Sequence, residues 1–172
     1  HFYSGGRQSR LGVRNYLPTD LGELKTTFEF ELFGTGDVAG QTIFRLRHAW
    51  GEIGHFGAGQ TWSVFMDADV FPNTLEYWGP TGMVFYRNVQ IRWTPYRTDH
   101  GHFAIAIERP GNDIDSGNLR LIEGLEGVTV QNDEELPDFT AQYRFGGDWG
   151  HVQLGGILRK VGFEVRESSA DA

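Results

Sequence analysis

The sequence contains no cysteine and no long run of apolar residues, and each absence narrows what the chain can be. Without cysteine it can form neither a disulfide framework nor a thiolate metal site. No stretch of about 18 apolar residues occurs, which excludes a transmembrane helix. A transmembrane barrel stays possible, because strands that alternate apolar and polar residues average out as moderately polar.

The chain is also poor in positive charge. Its 172 residues include 15 Lys and Arg against 23 Asp and Glu, which gives a formal net charge of -8. Such a balance argues against nucleic acid as a partner. The length suits one domain with a core. The chain begins with His1 and shows no signal sequence, so we expect a processed chain or a piece of a longer one.

What the sequence does contain is glycine, aromatic residues and alternation. It has 24 glycines and 14% aromatic residues, and eight segments alternate with a period of two, which is typical of strands with two unlike faces. The segments mostly run about 9–12 residues, close to the 9–11 that a tilted strand needs to cross a bilayer. They are residues 7–17, 23–33, 42–53, 55–65, 84–95, 101–109, 138–145 and 151–165.

Two of the segments matter most for the assignment of faces. In segment 42–53 the alternation places Phe44, Leu46, His48 and Trp50 on an apolar face, opposite Arg45, Arg47, Ala49 and Gly51. In segment 55–65 it places Phe56, Ala58, Trp62 and Val64 on the apolar face, with the polar Gln60 as an exception.

The connections between these segments alternate in length. The short connections are 18–22, 54–55, 97–101 and 146–150, and the long ones are 34–41, 66–83 and 110–137. Tight turns on one side and long loops on the other are typical of an up-and-down membrane barrel. Aromatic residues gather near the short connections, as in a girdle at one membrane interface. They are Tyr16, Trp50, Phe56, Trp93, Tyr96, Phe103, Phe145 and Trp149.

Several runs of the sequence carry a further signal. They are RQSRLGVRNYLPTDLGELKTTFEFELFG, FRLRHAWGEIGHFGAGQTWSVFMD, VQIRWTP, FTAQYRF and VQLGGILRK, and the part GQTWSVFMD before a long loop is the most specific. These runs resemble the DcaP-like outer-membrane porins. The resemblance implies trimeric barrels of about sixteen antiparallel strands, with the third external loop folded into the pore. It also implies passive uptake of small anionic solutes, dicarboxylates among them, across a Gram-negative outer membrane.

We therefore expect an all-β fold, an antiparallel up-and-down transmembrane β-barrel with about eight strands here, resembling half of a sixteen-stranded porin. Residues 1–172 would form a single partial barrel domain. Residues 66–83 would fold into the pore, because that loop keeps several aromatic residues, and 110–137 would be a long extracellular loop.

The predicted channel lining consists of arginines on the polar faces, while most acids lie in loops. These arginines are Arg10, Arg14, Arg45, Arg47, Arg92, Arg144 and Arg159. Arginine rings favour the passage of anions. The alternative is that the arginines pair with Glu29, Glu31 and loop acids and only hold the wall together.

The predicted constriction is formed by polar residues of the loop 66–83, which would face the arginines. They are Asp67, Asp69, Asn73, Glu76 and Tyr77. The alternative is a solvated outer loop. The expected partners are small anionic solutes, outer-membrane lipid and further copies of the chain in a homotrimer.

Enzymatic and metal sites are poorly supported. Ser63 lacks the glycine elbow of a nucleophile, and the pair Glu29 and Glu31 alone is weak evidence for a glycosidase. The pair His100 and His102 lacks an evident third zinc ligand, so we expect no metal, no cofactor and no catalysis. Two other readings stay open: a complete eight-stranded membrane barrel, as an anchor or small enzyme, and a soluble β-sandwich that binds carbohydrate through Trp62 and Trp78.

Overall fold

The protein is described by a computed structural model over residues 5–71, 84–111 and 128–167. These residues form ten β-strands and a short 3-10 helix at Gly36–Val38. The strands are β1 (Arg10–Thr19), β2 (Gly22–Phe33), β3 (Thr42–Ile53), β4 (Phe56–Trp62), β5 (Arg87–Thr98), β6 (Gly101–Glu108), β7 (Val128–Asp133), β8 (Asp138–Gly147), β9 (Gly150–Leu158) and β10 (Gly162–Glu167). Among these residues, no helix has the length and apolar character needed to cross a membrane.

Eight of the strands form one antiparallel sheet in the order β1-β2-β3-β4-β5-β6-β8-β9. Apart from β7 and β10, strands that follow one another along the chain are therefore neighbours, as in an up-and-down barrel. Strands β1 and β9 are the two edges of this sheet, which is open over the described residues. The predicted all-β, up-and-down fold is confirmed, and no second large sheet covers the first within these residues, as a sandwich would require.

Each tight connection inside the sheet leaves only two residues between its strands, at positions 20–21, 54–55, 99–100 and 148–149. Two of these turns share the pattern Thr-Asp-x-Gly. In the first, the Thr19 hydroxyl donates to the Gly22 carbonyl at 2.6 Å and accepts from the Leu21 amide at 3.2 Å. The hydroxyl of Thr98 makes the same two contacts at the second turn. The turn therefore fixes the strand register through its own side chain.

The region from 128 to 167 differs from the sequence prediction. The predicted loop 110–137 contains β7, and the predicted strand 151–165 is divided into β9 and β10. Strands β7 and β10 pair with each other, with Gly162 opposite Asp133, and extend the β8–β9 hairpin beyond an interruption at 134–137 and 159–161. Pro137 lies in that interruption, where a residue without an N–H cannot continue the ladder. Residues 112–127 lie outside the described part of the chain.

The apolar face of the sheet is exposed along its whole width. Phe28 is 46% exposed and Ile91 is 65% exposed, although both lie near the middle of their strands. Large apolar side chains with the same exposure occur from the first strand to the last: Leu11, Val13, Phe44, Phe56, Val89, Ile107, Phe139, Leu154 and Leu158. A sheet that turns such a face outward is suited to lipid. Six of the eight predicted girdle aromatics are also exposed.

A β-bulge in β3 overturns part of the predicted face assignment. Glu29 pairs with His48 but Phe30 pairs with Leu46, so Arg47 is the extra residue of the bulge. Beyond it the alternation is shifted by one position, and His48 and Trp50 lie on the polar side rather than on the apolar side.

Two residues of β4 accommodate this bulge. The side-chain amide of Gln60 donates to the carbonyls of Leu46 and Arg47, at 3.2 and 3.4 Å. The polar exception in β4 therefore satisfies backbone groups near the bulge. Gly57 leaves room for the displaced ring of Trp50, because a Cβ atom at Gly57 would lie 2.0 Å from it.

An introduced arginine should lower stability strongly on the apolar face of the sheet and only slightly on the polar face. Replacing Phe28 with Arg should cost about 2–4 kcal/mol of the free energy of unfolding in lipid vesicles, because a guanidinium would face the bilayer centre. The matched control is Thr27→Arg, one residue away on the polar face, where the cost should be far smaller. Urea unfolding of both variants measures the difference. Equal losses would contradict the two-faced sheet.

Candidate functional site

An arginine cluster lies on the polar face of β1, β2 and β3. It consists of Arg10, Arg45 and Arg47, arranged around Glu29 and Glu31. Arg47 Nε lies 2.5 Å from Glu29 Oε1, and Arg47 Nη1 lies 2.7 Å from Glu31 Oε2. Arg45 and Arg10 contact the same Glu31 carboxylate more loosely, at 3.3 and 3.6 Å.

Arg47 is the buried member of this cluster, since its side chain is only 6% exposed. A buried charge is tolerated when it is paired and hydrogen-bonded, and Arg47 has both glutamates as partners. The bulge in β3 brings the guanidinium between them. Arg47 is therefore held in the wall, whereas Arg10 and Arg45 keep exposed guanidinium surface.

A second group of charges lies nearer the short turns. Glu52 accepts a hydrogen bond from Arg97 at 2.8 Å and lies 3.6 Å from Arg92. The guanidinium of Arg92 also lies over the ring of Trp50, 4.4 Å from its centroid, so cation–π attraction adds to the ion pair. Arg14, on the edge strand β1, makes no hydrogen bond or ion pair with the described part of the chain.

The chain after β4 runs across the polar face instead of away from it. We call residues 63–69 the crossing segment. Its buried Val64 packs with Ala104 and Ala106 of β6, and Phe65 lies against Gly155 of β9. The polar faces of β6 and β9 carry small residues, which leave room for this segment.

Glu108 anchors the beginning of the crossing segment. Its carboxylate, 1% exposed, accepts hydrogen bonds from the Ser63 hydroxyl at 3.1 Å and the Val64 amide at 2.9 Å. Thr140 of β8 donates to the same oxygen at 2.8 Å, and Asn88 donates to the other at 3.3 Å. Because several donors converge on one carboxylate, the charge is stabilised without a cation partner among these contacts.

Further polar contacts lie beside Glu108 and Ser63, at the end of the sheet near the long loops. The Ser63 hydroxyl lies 3.0 Å from that of Tyr86, and burial raises the pKa of Tyr86, so the phenol stays protonated. Arg159 donates three hydrogen bonds of 2.5–3.0 Å to the fully buried Asp138. These bonds raise the pKa of the Arg159 guanidinium, which remains charged. Arg159 is thus paired to β8 just after β9 ends.

The far end of the crossing segment is fixed by charge. Asp67 Oδ2 lies 2.7 Å from His151 Nε2, and Asp67 Oδ1 lies 3.5 Å from Arg144 Nη1. Arg144 Nη2 also contacts Asp69 at 2.6 Å. The Gln153 amide donates to the Met66 carbonyl at 3.2 Å. Residues 66–69 are therefore tied to β8 and β9 near the short turn.

The predicted lining arginines thus divide into three groups and one separate residue. Arg10, Arg45 and Arg47 come together around Glu31, and Arg144 meets the loop residues Asp67 and Asp69. Arg92 and Arg159 have other carboxylate partners, and Arg14 stands apart from all three groups. The predicted constriction residues Asn73, Glu76 and Tyr77, and most of the loop 66–83, lie outside the described residues.

Sequence reasoning missed the residues that hold the crossing segment. Ser63 was considered only as an unsupported nucleophile, and neither Asp138 nor Thr140 was singled out. The available signal was Glu108 itself, a lone acid that follows Ala104 and Ala106 on the inward positions of β6. Its partner Ser63 is 45 residues away in sequence, so alternation could not reveal the contact.

The residues behind the weak enzymatic and metal signals have other contacts in the described part of the chain. No three His, Asp or Glu side chains there are grouped to hold a metal ion. His102 contacts the Gln142 amide at 3.0 Å. Glu29 and Glu31 both bind Arg47.

Comparisons with known proteins agree with this architecture. Residues 3–160 match a family described as DcaP outer membrane protein. A solved structure, the outer membrane channel DcaP of Acinetobacter baumannii, is similar with a TM-score of 0.69 and 18% sequence identity. The similarity covers 92% of this chain and 44% of that one, so the chain spans less than half the length of the channel. No curated protein matches the chain.

Neutralising Glu108 should loosen the crossing segment. In Glu108→Gln one acceptor oxygen becomes an amide donor, which then faces either the donors of Ser63, Val64 and Thr140 or the amide of Asn88, and unsatisfied buried groups cost about 1–3 kcal/mol. Hydrogen exchange at residues 63–66 should therefore accelerate. The control is Glu23→Gln. Glu23 forms an exposed ion pair with Lys25 at 3.7 Å, and exposed ion pairs contribute about 0–1 kcal/mol. Unchanged protection in Glu108→Gln would refute the anchor.

Asp67→Asn tests the other end of the segment. The asparagine oxygen can still accept from the Asp69 amide, 3.0 Å from Asp67 Oδ1, but the charge facing Arg144 and His151 is lost. Hydrogen bonds to charged groups contribute about 1.5–3 kcal/mol, so exchange at 66–69 should accelerate. Asp69→Asn is the matched control, because Asp69 is 62% exposed and a smaller effect is expected. An equal effect of both variants would contradict the assignment.

Proposed function

Because the chain belongs to the DcaP outer membrane protein family, and so to the bacterial outer membrane, we propose that it forms part of the wall of a porin. Small anionic solutes, including dicarboxylates, diffuse passively through this channel. The apolar face of the sheet contacts lipid, and the polar face lines the water-filled path. The chain contributes side chains that bind the solute and an electrostatic field that acts on it, and it catalyses no reaction.

The observation that carries the proposal is the distribution of charge. The eight strands of the sheet hold nine Arg and Lys against six Asp and Glu, a surplus of three positive charges in a chain whose net charge is -8. A wall that is more basic than the molecule attracts anions locally. Guanidinium groups keep their charge when partly desolvated and pair well with carboxylates.

The crossing segment supports a narrowing of the path. It occupies the polar face above β6, β8 and β9, and Asp67 and Asp69 stand there beside Arg144. In our proposal this segment reduces the cross-section, and Asn73, Glu76 and Tyr77 belong to the same constriction. Acids of the segment and arginines of the wall create a transverse field, which orients a dipolar solute.

The remaining lining residues and the assembly complete the proposal. Arg10, Arg14, Arg45, Arg92 and Arg159 contribute to the potential of the path, while the buried Arg47 acts through its neighbours. The homotrimer implied by the family resemblance stays a prediction, which light scattering of the full-length protein in detergent measures.

Anion preference should depend on salt. In planar bilayers with a KCl gradient, the reversal potential should indicate that chloride permeates more readily than potassium. The preference should weaken from 0.1 M to 1 M salt, because the screening length falls from about 10 Å to about 3 Å. The control variant is Lys160→Gln, whose altered residue lies outside the sheet, and it should leave the anion preference unchanged. Cation preference, or selectivity independent of salt, would remove the proposal.

A further inference from the structure

Part of the arginine cluster is not neutralised by carboxylates. Three arginines contact the single Glu31 carboxylate, with Arg47 at 2.7 Å, Arg45 at 3.3 Å and Arg10 at 3.6 Å. The side chains of Arg45 and Arg10 are 32% and 59% exposed. A guanidinium has five N–H donors, so one contact each with Glu31 leaves further donors on both of these partly exposed residues.

A fourth arginine adds charge behind them. The guanidinium of Arg87 lies 4.5 Å from the centroid of the Trp62 ring, and its charged neighbours are Arg10, Arg45, Arg47 and Glu31. Its Nη1 is buried and has no hydrogen-bond partner among the described residues. Four arginines thus stand against Glu29 and Glu31, and two positive charges lack a described carboxylate.

Most of the other wall arginines are more fully compensated. Arg144 faces two carboxylates, those of Asp67 and Asp69, and Arg159 is bound two-pronged by Asp138. Arg92 lies over the Trp50 ring and shares Glu52 with Arg97, while Arg14 stands alone on β1. The largest surplus among the described residues, two positive charges, therefore lies where β1, β2 and β3 approach the long loops.

We propose that Arg10 and Arg45 form a binding site for a doubly charged oxyanion, a dicarboxylate or a phosphate dianion. Arg87 and the buried Arg47 stand behind the site and raise its potential without contacting the ligand. The inference rests on the proposed passage of anions and names where the anion binds. Planar guanidinium groups favour this chemistry, because each can donate two parallel hydrogen bonds to one carboxylate or phosphate.

Competition for the chloride current tests the site in the full-length protein. Succinate or inorganic phosphate is added to planar bilayers, and the concentration that halves the chloride current is measured. Arg45→Gln and Arg10→Gln should each raise that concentration about tenfold, since loss of one charge-assisted contact is of this order. Arg45→Lys should fall between Arg45→Gln and the unaltered protein, because an ammonium keeps the charge without the fork. Acetate should block only weakly.

Arg97→Gln is the matched control, because Arg97 belongs to the Glu52 pair at the opposite end of the sheet. It should leave the succinate and phosphate concentrations unchanged. A response to only one of the two probes identifies that anion class and supports the site. Equal weakening in Arg97→Gln, or no weakening in both cluster variants, overturns it.

The reversal potential of each channel separates this inference from the proposed function. If the unaltered channel is anion-selective but the variants Arg45→Gln and Arg10→Gln bind succinate as well as it does, the site alone is refuted. A cation-selective unaltered channel refutes the proposed function itself. Since Arg10 is largely exposed, Arg10→Gln provides a folded variant even if Arg45→Gln does not insert.

Discussion

Every backbone amide and carbonyl of a strand in lipid must find its partner in a neighbouring strand, because the hydrocarbon offers none. The eight-stranded antiparallel sheet meets this requirement along the seven ladders between its strands, whereas the outer edges of β1 and β9 have no partner strand among the described residues. Once the strands are paired, successive side chains point to opposite faces. The same constraint therefore produces both an apolar face for lipid and a separate polar face that can carry arginines.

Two features make the polar face of the sheet irregular. The bulge at Arg47 brings a guanidinium between two glutamates, and Gln60 satisfies the carbonyls around it. The crossing segment covers Ala104 and Ala106, and its ends are held by Glu108 and by Asp67. These contacts convert a flat polar wall into one with a fixed segment lying on it, which is the arrangement that a selective path requires.

Alternation and the alternating lengths of the connections were enough to predict an up-and-down β fold from the sequence. The strands β1 to β6 follow from period two, whereas the Thr-Asp-x-Gly contacts at two of the turns needed the structure. Alternation failed at Arg47, because one extra residue reverses every side chain beyond it. It also missed β7, which among the described residues pairs with β10 in a separate two-stranded sheet.

The candidate site was predictable only in part, for a similar reason. The arginines could be assigned to one face from their spacing, but their partners could not, since Asp67 and His151 are 84 residues apart. Which guanidinium groups are neutralised and which stay available is decided by such long-range contacts. The distinction between the buried Arg47 and the exposed Arg10 and Arg45 therefore needed the structure.

The accessibility of the two faces tests the central claim most directly, and a chain without cysteine makes the measurement clean. Spin labels attached through Gln142→Cys, Tyr143→Cys, Gln153→Cys and Leu154→Cys would be compared in lipid vesicles. The account predicts that positions 143 and 154 collide with oxygen dissolved in lipid, whereas 142 and 153 collide with a water-soluble nickel complex. The same response at adjacent positions, or the reverse pattern, would contradict it.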